Sequence, residues 1–215
     1  NEADTIFYIS NVHGNGCVYT TARQSVQKPS FIQHEINVPF NIKFTDHNSK
    51  EILYETIDMV LRCVNSNVSK VKINKQYIFN QKPDEVKIHI TYDNSSTSEI
   101  ILNTISKSHK NILTLYQKGK IITADIQAYK VEETRLDYDL EHKLPLESVS
   151  SNTTLSQKMN HFEKKILYFD VIQKDLLNFV DCVTNRISPM VSLEEALNVV
   201  SVMQNFTYSQ HESAV

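Results

Sequence analysis

Three carboxylates at helical spacing are the residues in this sequence best placed to do chemistry. Glu51, Glu55 and Asp58 follow one another at i, i+4 and i+7, a spacing that puts all three on one face of an α-helix. Together they can line a polar substrate pocket. The alternative is a solvated helix face, on which Asp58 forms an i, i+4 ion pair with Arg62.

Two further residues are candidates for contact with a substrate. His47 follows Asp46, and a neighbouring carboxylate supports the imidazolium form used in acid–base catalysis; a polar pair in a loop is the alternative. Arg23 can bind the phosphate or carboxylate of a sugar-like substrate, or it is an ordinary surface cation. The histidines show no HxH, HxxxH or HExxH spacing, so we expect no metal site.

The scarcity of glycine restricts the kinds of site this chain can hold. It has three glycines in 215 residues, and no GxGxxG, GxxxxGK or GxSxG motif, each of which needs glycine where the backbone approaches a ligand. A nucleotide-dependent reaction would therefore need a phosphate-binding part on other polypeptide. The first residue, Asn1, is not methionine, which agrees with the loss of an upstream segment.

The composition of the sequence limits the binding partners and the cellular compartment that we expect for this protein. A net charge of −3, from 22 basic and 25 acidic residues, disfavours nucleic acid. No apolar run approaches the roughly 18 residues of a membrane span, so we expect no membrane association. Three widely spaced cysteines predict buried free thiols and a cytoplasmic protein. Four Asn-x-Ser/Thr sequons leave open an unrelated secreted α+β protein.

The candidate carboxylates lie on a predicted helix that precedes a predicted sheet. Apolar residues recur with helical period from Lys50 to Val64, with Ser49 as a plausible N-cap. Alternation with period two then takes over from Lys70 to Asp125 and predicts an antiparallel meander with a hairpin turn at Gly119. Its strands are expected at residues 71–79, 86–92, 99–105, 111–116 and 120–126.

The two ends of the chain have different patterns. Residues 1–45 are predicted to be extended, and Pro29 and Pro39 confine the strand-like stretch at residues 31–44 to a sheet edge or to irregular pairing. Residues 132–157 are charged and then Ser/Thr-rich, which predicts a surface excursion. Two helices follow, the second with a capping box that begins at Ser192. The extended region is predicted to contain strands at residues 5–9 and 18–21, a turn at 13–16 and the strand-like stretch at 31–44.

The C-terminal run DLLNFVDCVTNRISPMVSLEEALNVVSVMQNFTYSQ resembles the closing helix, proline-containing link and capped final helix of the glucose–fructose oxidoreductase and inositol dehydrogenase (Gfo/Idh/MocA) family. The hairpin at residues 115–125 resembles the family's sheet hairpin, and residues 51–58 stand where the family carries an Asp-x-x-x-His-x-x-Asp helix. The residues of the C-terminal run that fit the family pattern are Asp175, Phe179, Arg186, Pro189, Val191, Ser192, Glu194, Glu195, Ala196 and Leu197.

The resemblance implies that residues 1–215 form one α+β domain, the family's C-terminal domain. It has a large, mostly antiparallel open-faced sheet with helices packed on one face and no Rossmann domain. The implied function is substrate binding and oligomerisation, through the sheet face, in an NAD- or NADP-dependent oxidoreductase acting on a sugar or cyclitol-like alcohol or ketone. Glu55 replaces the family's histidine, and no Glu-Lys-Pro occurs. The alternative is therefore a non-catalytic domain that docks a partner through its sheet.

Overall fold

The fold is taken from a computed structural model. It describes residues 6–10, 16–40, 46–79, 81–136, 159–167 and 170–208. Within these ranges the helices are α1 (Cys17–Gln24), α2 (Asp46–Leu61), α3 (Val171–Asn185) and α4 (Leu193–Tyr208). The strands are β1 (Phe31–Pro39), β2 (Val68–Gln76), β3 (Glu85–Tyr92), β4 (Thr97–Ser106), β5 (Lys110–Gln117), β6 (Lys120–Asp125), β7 (Lys130–Leu136) and β8 (Met159–Lys165).

The eight strands form one sheet in the order β2-β3-β4-β1-β5-β6-β7-β8. Only β1 and β4 pair in parallel; every other neighbouring pair is antiparallel. The predicted α+β class and mostly antiparallel sheet are therefore confirmed. The five strands predicted between residues 71 and 126 are β2 to β6, but they do not form one meander, because β1 lies between β4 and β5. Gly119 takes a φ of 73° in the hairpin between β5 and β6, a conformation that glycine adopts without a steric penalty.

Of the two alternatives predicted for residues 31–44, the position at a sheet edge is wrong, whereas irregular pairing is found at Pro39. Strand β1 lies in the middle of the sheet, between β4 and β5. Pro29 precedes the strand and Pro39 is its last residue, where the register with β4 shifts. Proline has no backbone N–H group to donate to a neighbouring strand. At the two ends of β1 this removes no hydrogen bond from the middle of the strand pairing.

Several other predicted elements differ from the fold. The strand predicted at residues 18–21 belongs to helix α1, which buries Val18, Tyr19 and Ala22 on one side. Residues 6–9 form no strand, and most of the predicted turn at 13–16 lies outside the described residues. Helix α2 begins at Asp46, so Ser49 is inside the helix and is not its N-cap.

The excursion predicted at residues 132–157 begins inside a strand. Strand β7 continues to Leu136 and pairs with β8, which the sequence reading missed. Both strands are rich in charged residues, so their alternation of apolar and polar side chains is weak. Residues 137–158 lie outside the described part of the chain.

The hydrophobic core lies between one face of the sheet and the helices α1, α2 and α4. Helix α2 supplies Leu53, Ile57 and Val60, each with no exposed surface. Burying a side chain of this size contributes about 1.5–3 kcal/mol. The other face of the sheet is open and mostly polar: Gln33 and Glu35, for example, alternate along β1 with buried residues.

The state of the cysteines and the length of the helices can be compared with the predicted cytoplasmic location. All three cysteines are described and are free thiols; Cys63 and Cys182 are buried as predicted, whereas Cys17 is only half-buried, so its predicted burial is wrong. Among the described residues, we find no helix with the length and apolar character needed to cross a membrane. The cytoplasmic location stays a prediction.

His34 makes the fold sensitive to pH. It points from β1 into the core with 1% of its surface exposed, and its Nε2 lies 2.8 Å from Asn111 Oδ1. Its Nδ1 has no hydrogen-bond partner among the described residues. Burial lowers the pKa of His34 from 6.5 to about 4, against the opposing effect of the Asn111 hydrogen bond. The folded state therefore holds this imidazole in its neutral form.

We predict that acid destabilises the chain through His34. Its contribution to stability is fully present above pH 6.5 and is lost as the pH falls toward 4, because only the unfolded state binds the proton readily. Urea denaturation should show about 2 kcal/mol less stability at pH 5 than at pH 7.5 from this group. His34→Gln should abolish that part of the loss, and His89→Gln, on the open face, should retain it. Equal pH dependence in both variants would contradict the assignment.

Candidate functional site

The three predicted carboxylates line one groove between α2 and α4. Glu51, Glu55 and Asp58 contribute to a cavity of about 520 Å³. The apolar side of α2 packs against the sheet. The side of the helix that carries the three carboxylates therefore faces α4. The opposite wall of the groove is apolar and consists of Val191, Ala196, Val199 and Val200, with Ile172 from α3.

The three carboxylates differ in exposure and in partners. Glu51 is exposed, Glu55 is half-buried and Asp58 is buried. Asp58 pairs with Arg62: the Arg62 Nε atom lies 3.1 Å from Asp58 Oδ2, and the two side chains are 3% and 12% exposed, respectively. Asp58 therefore lines the groove and also forms the predicted i, i+4 ion pair, but its burial contradicts the alternative of a solvated helix face at this position. A role of Glu51 and Glu55 in substrate contact stays a prediction.

A short extended segment at residues 6–10 forms one rim of the groove, because Ile9 and Ser10 line the cavity. Asp175 of α3 holds this segment in place. Its Oδ2 accepts a 2.7 Å hydrogen bond from Ser10 Oγ, and its Oδ1 accepts a 3.0 Å bond from Tyr8 Oη. The Phe179 ring packs edge-on against Tyr8 at 5.2 Å. Partial burial and the Asp175 hydrogen bond raise the pKa of Tyr8.

Sequence reasoning missed this anchoring contact. The residues it joins are about 165 positions apart, and no local pattern connects them. Asp175 and Phe179 did stand out in the run that resembles the Gfo/Idh/MocA family, but that resemblance gave them no partner.

Neither Arg23 nor His47 is shown in the groove. Arg23 lies in the last turn of α1, not on a strand, and lines a second cavity with Asp58 and Arg62. His47 lies in the first turn of α2, so the interpretation of Asp46 and His47 as a loop pair is wrong. The side chain of His47 is outside the described part of the structure.

The open face of the sheet carries a cluster with possible metal-ligating groups. Ligand atoms of Glu132, His161 and Glu163 all lie within 4.8 Å of one another. Lys130 forms ion pairs with both carboxylates, and its Nζ lies 2.9 Å from Glu163 Oε2. Hydrogen bonds to Glu132 and Glu163 raise the pKa of Lys130 to about 12. This ammonium group already supplies a cation to the two carboxylates. The lack of a metal site stays a prediction.

The described residues do not fit a dinucleotide cofactor by themselves. A pyrophosphate is typically held by a glycine-rich turn between a strand and a helix N-terminus. In the described part of the chain only α1 begins directly after a glycine, Gly16, and no strand of the sheet leads into it.

Comparisons with known proteins identify the fold. No protein-family profile matches this sequence, and no curated protein matches it. Solved structures do match. UDP-N-acetylglucosamine 3-dehydrogenase GnnA from Acidithiobacillus ferrooxidans aligns with 93% of this chain at a TM-score of 0.73 and 10% identity. The dehydrogenase MviM from Clostridium difficile aligns with 92% at 0.70 and 14% identity.

A biliverdin reductase from Synechocystis sp. PCC 6803, in complex with biliverdin and NADP⁺, aligns with 90% of this chain at a TM-score of 0.67 and 12% identity. The chain spans 60–61% of the length of these three proteins. It therefore has the fold of part of a Gfo/Idh/MocA-type dehydrogenase, as the resemblance implied. At these identities the likeness concerns the fold.

We predict that Asp58 is needed for stability and that Glu51 is not. Asp58→Ala leaves the buried Arg62 guanidinium without its carboxylate, which should cost about 3–5 kcal/mol in the free energy of unfolding. Glu51→Ala, on the same helix face but exposed, should change it by less than about 0.5 kcal/mol. Urea denaturation measures both. A loss at Asp58 no larger than at Glu51 would contradict the buried ion pair.

Proposed function

We propose that this chain is the substrate-binding and oligomerisation domain of an NAD(P)-dependent oxidoreductase that acts on a sugar or cyclitol-like alcohol or ketone. The fold shared with dehydrogenases supports a role in an oxidoreductase. The observation that carries the proposal is the position of Glu51, Glu55 and Asp58 in one groove. Carboxylates accept hydrogen bonds from hydroxyl groups, so such a wall suits a polyol.

Within this proposal the two accessible carboxylates have different roles. Glu55 stands where the family carries histidine, and its half-buried position faces the apolar wall formed by Ala196 and Val199. It would accept the proton of the reacting hydroxyl group as a general base. Glu51, nearer the solvent, would accept hydrogen bonds from other hydroxyl groups of the substrate. His47 stays a candidate for acid–base catalysis.

The proposal assigns the nicotinamide cofactor to polypeptide outside this sequence. The chain covers about 60% of the length of the similar dehydrogenases, and its described residues do not fit a dinucleotide. An NAD(P)-binding part would supply the hydride acceptor or donor. Apolar side chains on α3 give it a surface to pack against: Leu176, Leu177, Val180 and Val183 are 45–59% exposed.

We further propose that two copies of the chain associate through the open face of the sheet. Half-buried apolar side chains such as Ile101 and Ile112 lie near its middle. Ion-paired groups of both signs surround them, including Glu35 and Lys110 at 2.6 Å. A face with both signs of charge can pair with a copy of itself about a two-fold axis.

A second candidate function is a non-catalytic domain that docks a partner through the same sheet face. The presence of Glu55 in place of histidine favours it. The two candidates differ in what they require of the groove. A non-catalytic docking domain need not bind a polyol there, whereas the first proposal requires that it does.

Ligand-observed NMR with myo-inositol and glucose tests the first proposal. The 215-residue chain should bind at least one of them saturably at millimolar concentration. Glu55→Gln should weaken that binding about tenfold or more, because one hydrogen bond to a charged group is lost. The matched control is Glu99→Gln on the opposite face of the sheet, which should leave binding within about twofold. No saturable binding, or equal losses in both variants, would contradict the assignment of the groove.

Sedimentation velocity tests the proposed self-association. The chain should sediment as a dimer at micromolar concentration, and Ile112→Glu should convert it to a monomer by burying a charge in the interface. Leu176→Glu on α3 is the matched control and should leave the dimer intact. A monomeric wild type, or dissociation by Leu176→Glu alone, would reject the sheet face as the interface.

A further inference from the structure

A second cavity, of about 860 Å³, lies beside the groove at the other end of α2. The C-terminal ends of α1 and α2 and the N-terminal end of α4 surround it. Among the lining residues only Asp58 is shared with the groove. The two cavities are therefore distinct places on either side of one buried carboxylate.

Arg62 is an incompletely satisfied cation in the wall of this second cavity. The residue is 9% exposed, and its Nε donates to Asp58. Its Nη2 is buried and has no hydrogen-bond partner among the described residues. An unmade hydrogen bond at a buried donor costs about 1–3 kcal/mol, and more for a charged group. A ligand with an acceptor oxygen would remove that cost.

Arg23 brings a second guanidinium to the same cavity. It lies in the last turn of α1 and is exposed. Burial raises the pKa of Tyr19, and the charges of Arg23 and Arg62 both act against that rise, which places the two cations near one hydroxyl. Tyr19 itself donates to the Met59 carbonyl at 2.8 Å, so its hydroxyl proton is already used.

The remaining lining residues limit the ligand further. Carboxylates of Asp93, Glu194 and Glu195 are present, and Glu195 Oε2 accepts a 2.8 Å hydrogen bond from the Ser192 backbone N–H in the capping box. These acids repel an anion, so binding of an anionic ligand would depend on directed hydrogen bonds from the guanidinium groups. The neutral polar side chains that line the cavity are Gln27, Asn65, Ser66, Asn67 and Asn198.

We propose that this cavity binds a phosphate monoester of a small polar molecule. Phosphate oxygens would accept hydrogen bonds from the guanidinium groups of Arg62 and Arg23, since a guanidinium presents its N–H groups in a geometry that matches phosphate. The amide and hydroxyl side chains would contact the rest of the ligand, because the volume is that of a small-molecule site and exceeds one phosphate group. This inference does not rest on the proposed function of the groove.

Phosphorus-31 NMR titration of the 215-residue chain with inorganic phosphate and with glucose 6-phosphate tests the proposal. Both should bind saturably in the millimolar range or below, with glucose 6-phosphate the tighter. Arg62→Met and Arg23→Met should each weaken binding about tenfold or more. Arg23→Met carries the test if Arg62→Met fails to fold, because Arg23 is exposed.

Lys28→Met is the matched control, since Lys28 is an exposed cation that follows α1 but does not line the cavity. It should leave the affinity within about twofold. The absence of saturable binding by either probe, or equal weakening by Lys28→Met and Arg23→Met, would overturn the proposal. Loss of phosphate binding with polyol binding retained in the groove would separate the two sites.

Discussion

The packing of α2 on the sheet is the constraint on which the rest of the molecule depends. Leu53, Ile57 and Val60 have no exposed surface, and rotating the helix would move all of them out of the core together. At about 0.8 kcal/mol per buried CH₂ group, such a rotation is far too costly to occur. The acidic stripe is thereby fixed toward α4, whose Ala196 and Val199 form the opposite wall of the groove.

This one helix also sets the relation between the two cavities. Asp58 lies one turn beyond Glu55, where the groove ends, and it pairs with Arg62, which lines the second cavity. The Asp58 carboxylate therefore has a role in both cavities. It is the last of the three acidic residues along the groove, and it accepts a hydrogen bond from the buried Arg62 guanidinium. The contacts of Asp175 with Tyr8 and Ser10 then bring a distant segment to the rim.

The parts of the fold predicted from the sequence are those determined by local periodicity. The apolar stripe of α2 and the alternation of β2 to β6 are contained within short windows, and the spacing of Glu51, Glu55 and Asp58 needed only the helix to be recognised. The β-branched residues Val18, Thr20 and Thr21 predict a strand where the structure has helix α1. The helix is favoured because it buries Tyr19 and Ala22 on one side.

The parts that were missed depend on distant residues. The central place of β1 follows from its parallel pairing with β4, more than 60 residues away, and no local signal marks such a pairing. Strands β7 and β8 lack an apolar alternation. The placement of Arg23 and Arg62 around one cavity, and the contact of Asp175 with Tyr8, depend on how separate elements pack. The spacing of residues in the sequence identifies the members of a site that lie on one helix. It does not identify residues from other elements that tertiary contacts place at the same site.

The most direct test is the orientation of α2, measured by thiol labelling of single cysteines in a background with the three native cysteines replaced by alanine. The account predicts that Glu51→Cys and Glu55→Cys react in the folded chain, whereas Leu53→Cys and Ile57→Cys react at least about 100-fold more slowly, since they need the core to open. Equal labelling of positions 53 and 51 in the folded chain would contradict it.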